Sequence, residues 1–312
     1  MTFLTSTAAR LLITAAILAY LLRSIDVGAS VHAMLRVNPW WFAFTLALVA
    51  VDRLVMAIRW LLLLRAAGVD ISAATALRIF LTSSFVGSFL PAGVGADAAR
   101  AYAVASRTSR GSQAVASVGI DRMLGLVAIA VLGIAGLAGW SRHVEPDLRL
   151  RLLAAAVLAG AATLAVFWVD RLVRAVAPEG WRGTRWGSRV MRLADAIGAY
   201  RRHPRVLLQV MVLSIAVQLV RVLQAYGLGR GLNLEIGLSY YLVFMPVAML
   251  LLLLPVSISG FGLPQAAIVW LLRPMGVPDA GSLALSTLII VIGIIGNLPG
   301  ALLYAVRKKP VT

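Results

Sequence analysis

The sequence has no cysteine, only 12 Asp and Glu against 29 Lys and Arg, three histidines, and no lysine apart from Lys308 and Lys309. Without cysteine there can be no disulfide, thiolate metal site, iron–sulfur cluster or cysteine nucleophile. His32, His143 and His203 all fall in predicted loops, with no HExxH pair and no third ligand nearby, which argues against a metal hydrolase. There is no P-loop and no GxSxG, and Ser257 and Ser259 have no histidine to serve as their base. Neither enzymatic activity nor a metal or cofactor is therefore expected. Charge is also scarce: 13% of the 312 residues are charged, 61% are apolar, and the mean hydropathy is +0.92. Soluble domains sit nearer half apolar and a quarter charged, so this is a membrane protein.

The charge that is present is one-sided, with a formal net of +17. On a soluble chain that would point to nucleic acid; between apolar spans it sets orientation, and no nucleic-acid partner is expected. Twenty-seven of the basic residues are Arg. Codon bias would explain this as well as phosphate recognition by the planar guanidinium, and both explanations stay open.

A helix needs about 20 residues to cross the hydrocarbon core. The apolar run 11–22 continues into Arg23-Ser24-Ile25-Asp26 without a cleavage site and reads as a short first span rather than a signal peptide. Five further full spans are predicted at 39–64, 113–140, 150–169, 206–228 and 283–306. Nine Arg lie within 170–205, which with Arg307-Lys308-Lys309 and the loop 100–110 is assigned to the cytoplasm. The connections at 24–38, 141–149, 229–236 and 273–280 are nearly neutral and are assigned outside, so both termini lie in the cytoplasm.

Two segments do not fit as single spans. Residues 72–90 are broken by Pro91-Ala92-Gly93-Val94-Gly95-Ala96-Asp97, and 236–254 by Pro255-Val256-Ser257-Ile258-Ser259-Gly260-Phe261-Gly262-Leu263-Pro264. If the first crossed fully, the basic loop after it would lie outside, so it is predicted to enter and leave on the cytoplasmic side. By alternation the second enters from outside. The expectation is an all-α polytopic protein forming a single integral domain. It has six full transmembrane helices and two opposed re-entrant broken-helix hairpins, in an inverted repeat of halves at about 39–140 and 206–306. Broken helices at matching positions of inverted halves point to a transport site near the midplane.

The residues resemble the transmembrane region of lysylphosphatidylglycerol synthase, the flippase half of the multiple peptide resistance factor, and its stand-alone relatives. The resemblance rests on Arg59-Trp60 with Leu62 and Leu63, Phe89-Leu90-Pro91-x-Gly93-x-Gly95-x-Asp97-x-x-Arg100, Asp121-Arg122-x-x-Gly125-Leu126, and Pro255-x-Ser257-x-Ser259-Gly260-x-Gly262. It extends over about residues 8–306. It implies a multi-pass domain of the bacterial inner membrane, with two re-entrant hairpins, that moves a lipid between leaflets. Gln265 stands where the family often carries Glu, which removes a second intramembrane carboxylate. The chain carries no soluble aminoacyl-transferase domain and is not expected to make lysyl-lipid.

A charge at a helix centre costs roughly 2.5–3.5 kcal/mol on insertion scales and turns inward to a partner or cavity. Asp52, Arg53, Arg59, Asp121, Arg122, Arg221 and, among neutral polar groups, Gln218, Gln224 and Asn297 are so placed. The functional expectation is that Arg59, Arg100, Arg122 and Arg221 line a path for a lipid phosphate, held by Asp52, Asp97 and Asp121. Asp97 and Arg100 rank first, beside amides freed at the Pro91, Gly93, Gly95 break; Pro255, Ser257, Ser259, Gly260, Gly262 and Gln265 complete the candidate set. The competing structural expectation pairs Asp52 with Arg53 and Asp121 with Arg122 as packing anchors. The partners are membrane lipids with anionic head groups, and an oligomer is compatible with the sequence. Two other functions stay open: a membrane-embedded transferase acting on polyprenyl or hopanoid lipids through Asp97 and Asp121, and a non-transporting scaffold.

Overall fold

The computed structural model describes residues 25–89, 94–139, 163–252 and 263–306, with positions 150, 154, 157–158 and 160–161 in addition. Among these, every regular element is a helix. In chain order they are α1 (Val27–Leu35), α2 (Pro39–Ala66), α3 (Ala73–Gly87), α4 (Val94–Ala105), α5 (Gly111–Gly139), α6 (Val169–Val176), α7 (Glu179–Arg182), α8 (Arg185–Gly198), α9 (Pro204–Gly231), α10 (Leu238–Leu252), α11 (Leu263–Leu272), α12 (Asp279–Ile295) and α13 (Leu298–Ala305). Caps follow from sequence: the Asn38 side chain accepts from the amides of Trp40 and Trp41 ahead of Pro39, and Ser72 accepts from Thr75.

Three stretches of the described residues are long and apolar enough to cross a membrane: Gly111–Gly136, Pro204–Gly231 and Asp279–Ala305. Helix α2 matches α9 in length, at 28 residues, but carries Asp52, Arg53, Arg59 and Arg65. By contrast α3 has 15 residues, or about 22 Å at 1.5 Å per residue, less than the roughly 30 Å of hydrocarbon.

The helix ends repeat with a fixed spacing. Pro39 and Ala66 bound α2 and Ala73 starts α3, and the same positions plus 165 bound α9 and start α10. Gly68 and Asn233, also 165 apart, both take left-handed backbone after the helix. There the amides of Val69 and Leu234 donate back to Leu64 and Gly229, the same cap twice. Helices α2 and α9 pack side by side and antiparallel. The Asn38 amide donates to the Gly231 carbonyl at 2.9 Å at one end, and the Tyr200 hydroxyl donates to the Leu63 carbonyl at 2.9 Å near the other.

Each short helix folds back on its successor. A Cβ on Gly87 would stand 2.4 Å from that of Ala96, so α3 and α4 are in backbone contact. The Tyr240 hydroxyl donates to the Leu271 carbonyl and ties the start of α10 to the end of α11. The end of α3 lies level with the middle of α2: Ser88 accepts from Asn297 at 2.8 Å, and the neighbouring Gly296 packs against Val49 and Arg53. Each hairpin also packs on the long helix of the other half. A Cβ on Gly136 would lie 2.4 Å from the Leu242 carbonyl oxygen, and one on Gly300 would lie 2.1 Å from that of Leu81. The main apolar core gathers Val222, Leu228, Tyr241, Phe244, Met245 and Leu285, where α9, α10 and α12 meet.

Several expectations change here. Residues 94–105 are helix, so Arg100 is buried in α4 and only a short connection remains from the expected loop 100–110. The connection 24–38 contains α1, and the last span starts at Asp279 rather than 283, with a break at Asn297. The basic segment 170–205 is largely helical. Arg201 grips Asp170 bidentately at 2.7 and 2.8 Å, which holds that carboxyl below its ordinary pKa. The described residues of 150–165 are helical, as expected. The predicted first span 11–22, the connection 141–149 and Arg307-Lys308-Lys309 lie outside the described residues.

The two backbone contacts make a direct prediction. Gly136→Ala and Gly300→Ala should each destabilise the protein by about 1–3 kcal/mol, the cost typical of overpacking. Gly119→Ala should not, since its Cβ meets nothing within 4 Å. Thermal unfolding in detergent measures all three.

Candidate functional site

Charged side chains on α2, α4 and α5 meet in one chain of contacts, joined by a serine of α9. Arg59 on α2 donates through Nε to Asp121 Oδ1 at 2.7 Å and through Nη1 to Ser214 Oγ of α9 at 3.0 Å. Asp121 Oδ2 also faces Arg100 Nη1 of α4 at 3.6 Å. Arg100 donates to Asp97 one turn earlier, and Asp97 accepts from Arg122 of α5 through its other oxygen. Two carboxylates thus hold three guanidiniums. Asp121 is 1% exposed and Arg100 3%, whereas Arg122, at the open end, is 44% exposed.

The Arg100 guanidinium also lies over the rings of Trp60, at 5.5 Å, and Phe80, at 5.2 Å. Trp60 is fully buried, with its indole N–H donating to Ser117 at 3.1 Å. Aromatic faces and a carboxylate together make a buried cation tolerable, since a lone charge would be prohibitive there.

A second cluster lies further along α2. Asp52 accepts from Arg53 at 3.0 Å and from Arg221 of α9 at 3.0 Å, and Arg53 also donates to the Gly293 carbonyl of α12 at 3.3 Å. The expected Asp52–Arg53 pair is therefore present, with Arg221 as a third member. The Asp121–Arg122 pair is not. Successive helical residues project about 100° apart, which sends Asp121 inward to Arg59 and Arg100 while Arg122 turns to Asp97.

Two cavities flank the α2–α9 pair. One, of about 200 Å³, is closed on its far side by α5 and lined by Met56, Arg59, Asp121, Arg122, Gly125, Gln218 and Arg221. The other, of about 210 Å³, is closed by α12 and lined by Val49, Asp52, Arg53, Arg221, Gln224 and Gly293. Arg221 and Met249 border both, and Arg221 is 29% exposed. Among the described residues, five guanidiniums (Arg53, Arg59, Arg100, Arg122, Arg221) face three carboxylates (Asp52, Asp97, Asp121). The arrangement can accept an anion in either cavity without first breaking a buried pair.

The candidate residues therefore divide. Arg59, Asp121, Arg122 and Arg221 line a cavity, whereas Asp97 and Arg100, ranked first from sequence, stand behind it and hold the lining residues. Gly95 lies in the first turn of α4, and Gln265 is buried on α11; neither lines either cavity. Pro91, Gly93, Pro255, Ser257, Ser259, Gly260 and Gly262 lie outside the described residues. Ser214 is the member that sequence reasoning missed. It falls four residues before Gln218, on the polar stripe of Gln218, Arg221 and Gln224, a spacing that could have revealed it.

Residues 7–300 match the family described as lysylphosphatidylglycerol synthase TM region. A comparison with curated proteins gives no match.

Asp121 neutralises two buried cations at once. Asp121→Asn should therefore cost about 3–5 kcal/mol of stability, as when one partner of a buried pair is removed. Arg122→Gln, at the exposed end, should cost under about 1 kcal/mol. Chemical denaturation in mixed micelles separates the two.

Proposed function

The chain belongs to the lysylphosphatidylglycerol synthase TM region family, a family of multi-pass membrane proteins, and from that premise we propose that it is a flippase-like transporter. It moves a phospholipid or lipid-linked head group of anionic character between the leaflets of the bacterial inner membrane, and it does not catalyse a covalent reaction. The observation that carries this reading is the pair of cavities on either side of α2 and α9, each lined by arginines, with Arg221 common to both. A phosphate needs such a relay, because an unpaired charge in the hydrocarbon core has no other stabilisation.

In this reading the protein has six full spans and two re-entrant hairpins, with both termini in the cytoplasm. The spacing of 165 residues and the antiparallel packing of α2 on α9 support an inverted repeat. Its pseudo-two-fold axis runs near Arg53 and Gln218, so the cavity closed by α5 and the cavity closed by α12 are its two related copies. A head group would pass from one to the other across Arg221, its acyl chains remaining in lipid. Rocking of the halves about the α2–α9 contact would open the cavities in turn. Met56, whose sulfur accepts from Arg221 at 3.0 Å, and Met249 supply the adaptable wall such a passage needs.

Proteoliposomes carrying head-group-labelled phosphatidylglycerol test transport. The parent chain should equilibrate the label between leaflets faster than protein-free vesicles, and Arg221→Gln should slow it about tenfold, the loss of one charge-assisted hydrogen bond. Equal rates with and without protein would refute transport. Topology is checked separately, since the chain has no native cysteine. Ser106→Cys should react with impermeant reagent only from the cytoplasmic side and Glu235→Cys only from outside; labelling from one side would remove the inverted repeat.

A further inference from the structure

The hairpin α3–α4 has a second polar face, turned away from the charge network. There Arg78 and Thr82 of α3, Tyr102 of α4, Ser106 and Arg107 just beyond it and Tyr304 near the end of α13 border a cavity of about 180 Å³. On each helix these residues recur at three or four positions, so one face of each lines the recess. No carboxylate is among the lining residues. The Arg78 and Arg107 guanidiniums make no ion pair or hydrogen bond among the described residues. The Thr82 and Ser106 hydroxyls already donate to carbonyls of α3 and α4, at 2.8 and 3.3 Å. What remains is two guanidiniums, which can only donate, and two phenols that can donate, with no carboxylate lining the recess to compete for them.

A recess that offers donors and two positive charges suits a ligand with several anionic oxygens, and guanidinium geometry suits phosphate best. Its position says where that phosphate comes from. Arg78 and Arg107 lie at the open end of the hairpin, at the level where the last helix ends. Tyr102 and Tyr304 are 74% and 53% exposed there, and the neighbouring Leu302 is 70% exposed. Tyrosines at helix ends favour the membrane–water boundary, and an exposed leucine beside them gives acyl chains a surface to lie on. Basic recesses between membrane helices at that depth take lipid head groups.

We propose that this recess is a second lipid site, which holds the phosphate of an anionic phospholipid from the leaflet at that end of the molecule and is separate from the cavities at Arg221. Helix α4 stands between the two, with Asp97 and Arg100 on its network side and Tyr102 on its recess side. A lipid bound here braces the helix that carries Asp97 and Arg100.

Native mass spectrometry of the full chain in micelles, with dioleoylphosphatidylglycerol or dioleoylphosphatidylcholine added, reads the site without reference to transport. Parent protein should retain phosphatidylglycerol over phosphatidylcholine. Arg78→Gln/Arg107→Gln should lose one bound phosphatidylglycerol, with at least a fivefold weaker apparent affinity for that step. Because both residues are exposed and unpartnered, the variant should keep the parent melting temperature. Unchanged stoichiometry and affinity in the double variant would overturn the proposal, and so would equal loss of phosphatidylcholine. Inorganic phosphate that displaces the lipid at equal concentration would assign the recess to a free anion instead and likewise overturn it. Failure of the leaflet assay together with loss of this bound lipid would refute transport and leave the second site standing.

Discussion

One carboxylate governs the centre of this molecule. Asp121, buried in α5, lies between the guanidiniums of Arg59 and Arg100 and so links three helices that carry opposite charge into the interior. A buried ion costs several kcal/mol unless its partners satisfy it, so each of these helices can occupy its position only while the others do. Asp97 extends the same logic outward to Arg122, and Asp52 repeats it for Arg53 and Arg221. The hairpin α3–α4 is thus held by its backbone contact at Gly87 and also by Arg100, with Trp60 and Phe80 beneath that guanidinium.

The compensation is incomplete in a definite way. Among the described residues three carboxylates meet five guanidiniums, and the two most exposed of these cations, Arg122 and Arg221, border the cavities, whereas Arg59 and Arg100 are deeply buried. A network that pairs its buried cations and leaves its most exposed ones beside open space combines a stable fold with an attraction for anions. Helical repetition adds an asymmetry. With the spacing of 165, Arg53 and Arg59 correspond to Gln218 and Gln224, and Arg221 corresponds to Met56. The cavity closed by α5 therefore carries Arg59 and Arg122 besides the shared Arg221, and the other carries Arg53 with the same shared residue. The two chambers therefore differ in the number of cations that line them.

Much of the basic segment 170–205 forms helices α6, α7 and α8, whose exposed Leu172, Val176 and Trp186 sit among arginines. Such faces suit the boundary between head groups and acyl chains. Asp170 and Arg201 fasten this layer to the base of α9, next to the Tyr200 hydroxyl that reaches α2.

From the sequence alone came the membrane class, the long apolar spans at α5 and α9, the two short interrupted helices and the identity of the charges that enter the interior. These are properties of composition and local periodicity, which need no partner to be expressed. Which charges meet was decided by the tertiary structure. Asp121 and Arg122 are neighbours in the chain but project in different directions, so each finds its partner 21 to 62 residues away, on α4 or α2. Arg100 read as a loop residue because it follows the break at Pro91, Gly93 and Gly95 and opens the basic segment that holds Arg107 and Arg110, and only the packing of α4 against Trp60 and Phe80 makes it an interior cation. The cavities likewise exist only once α2, α9 and the two long helices are assembled, since empty space between helices is a property of how their faces fit and has no signature in any one segment.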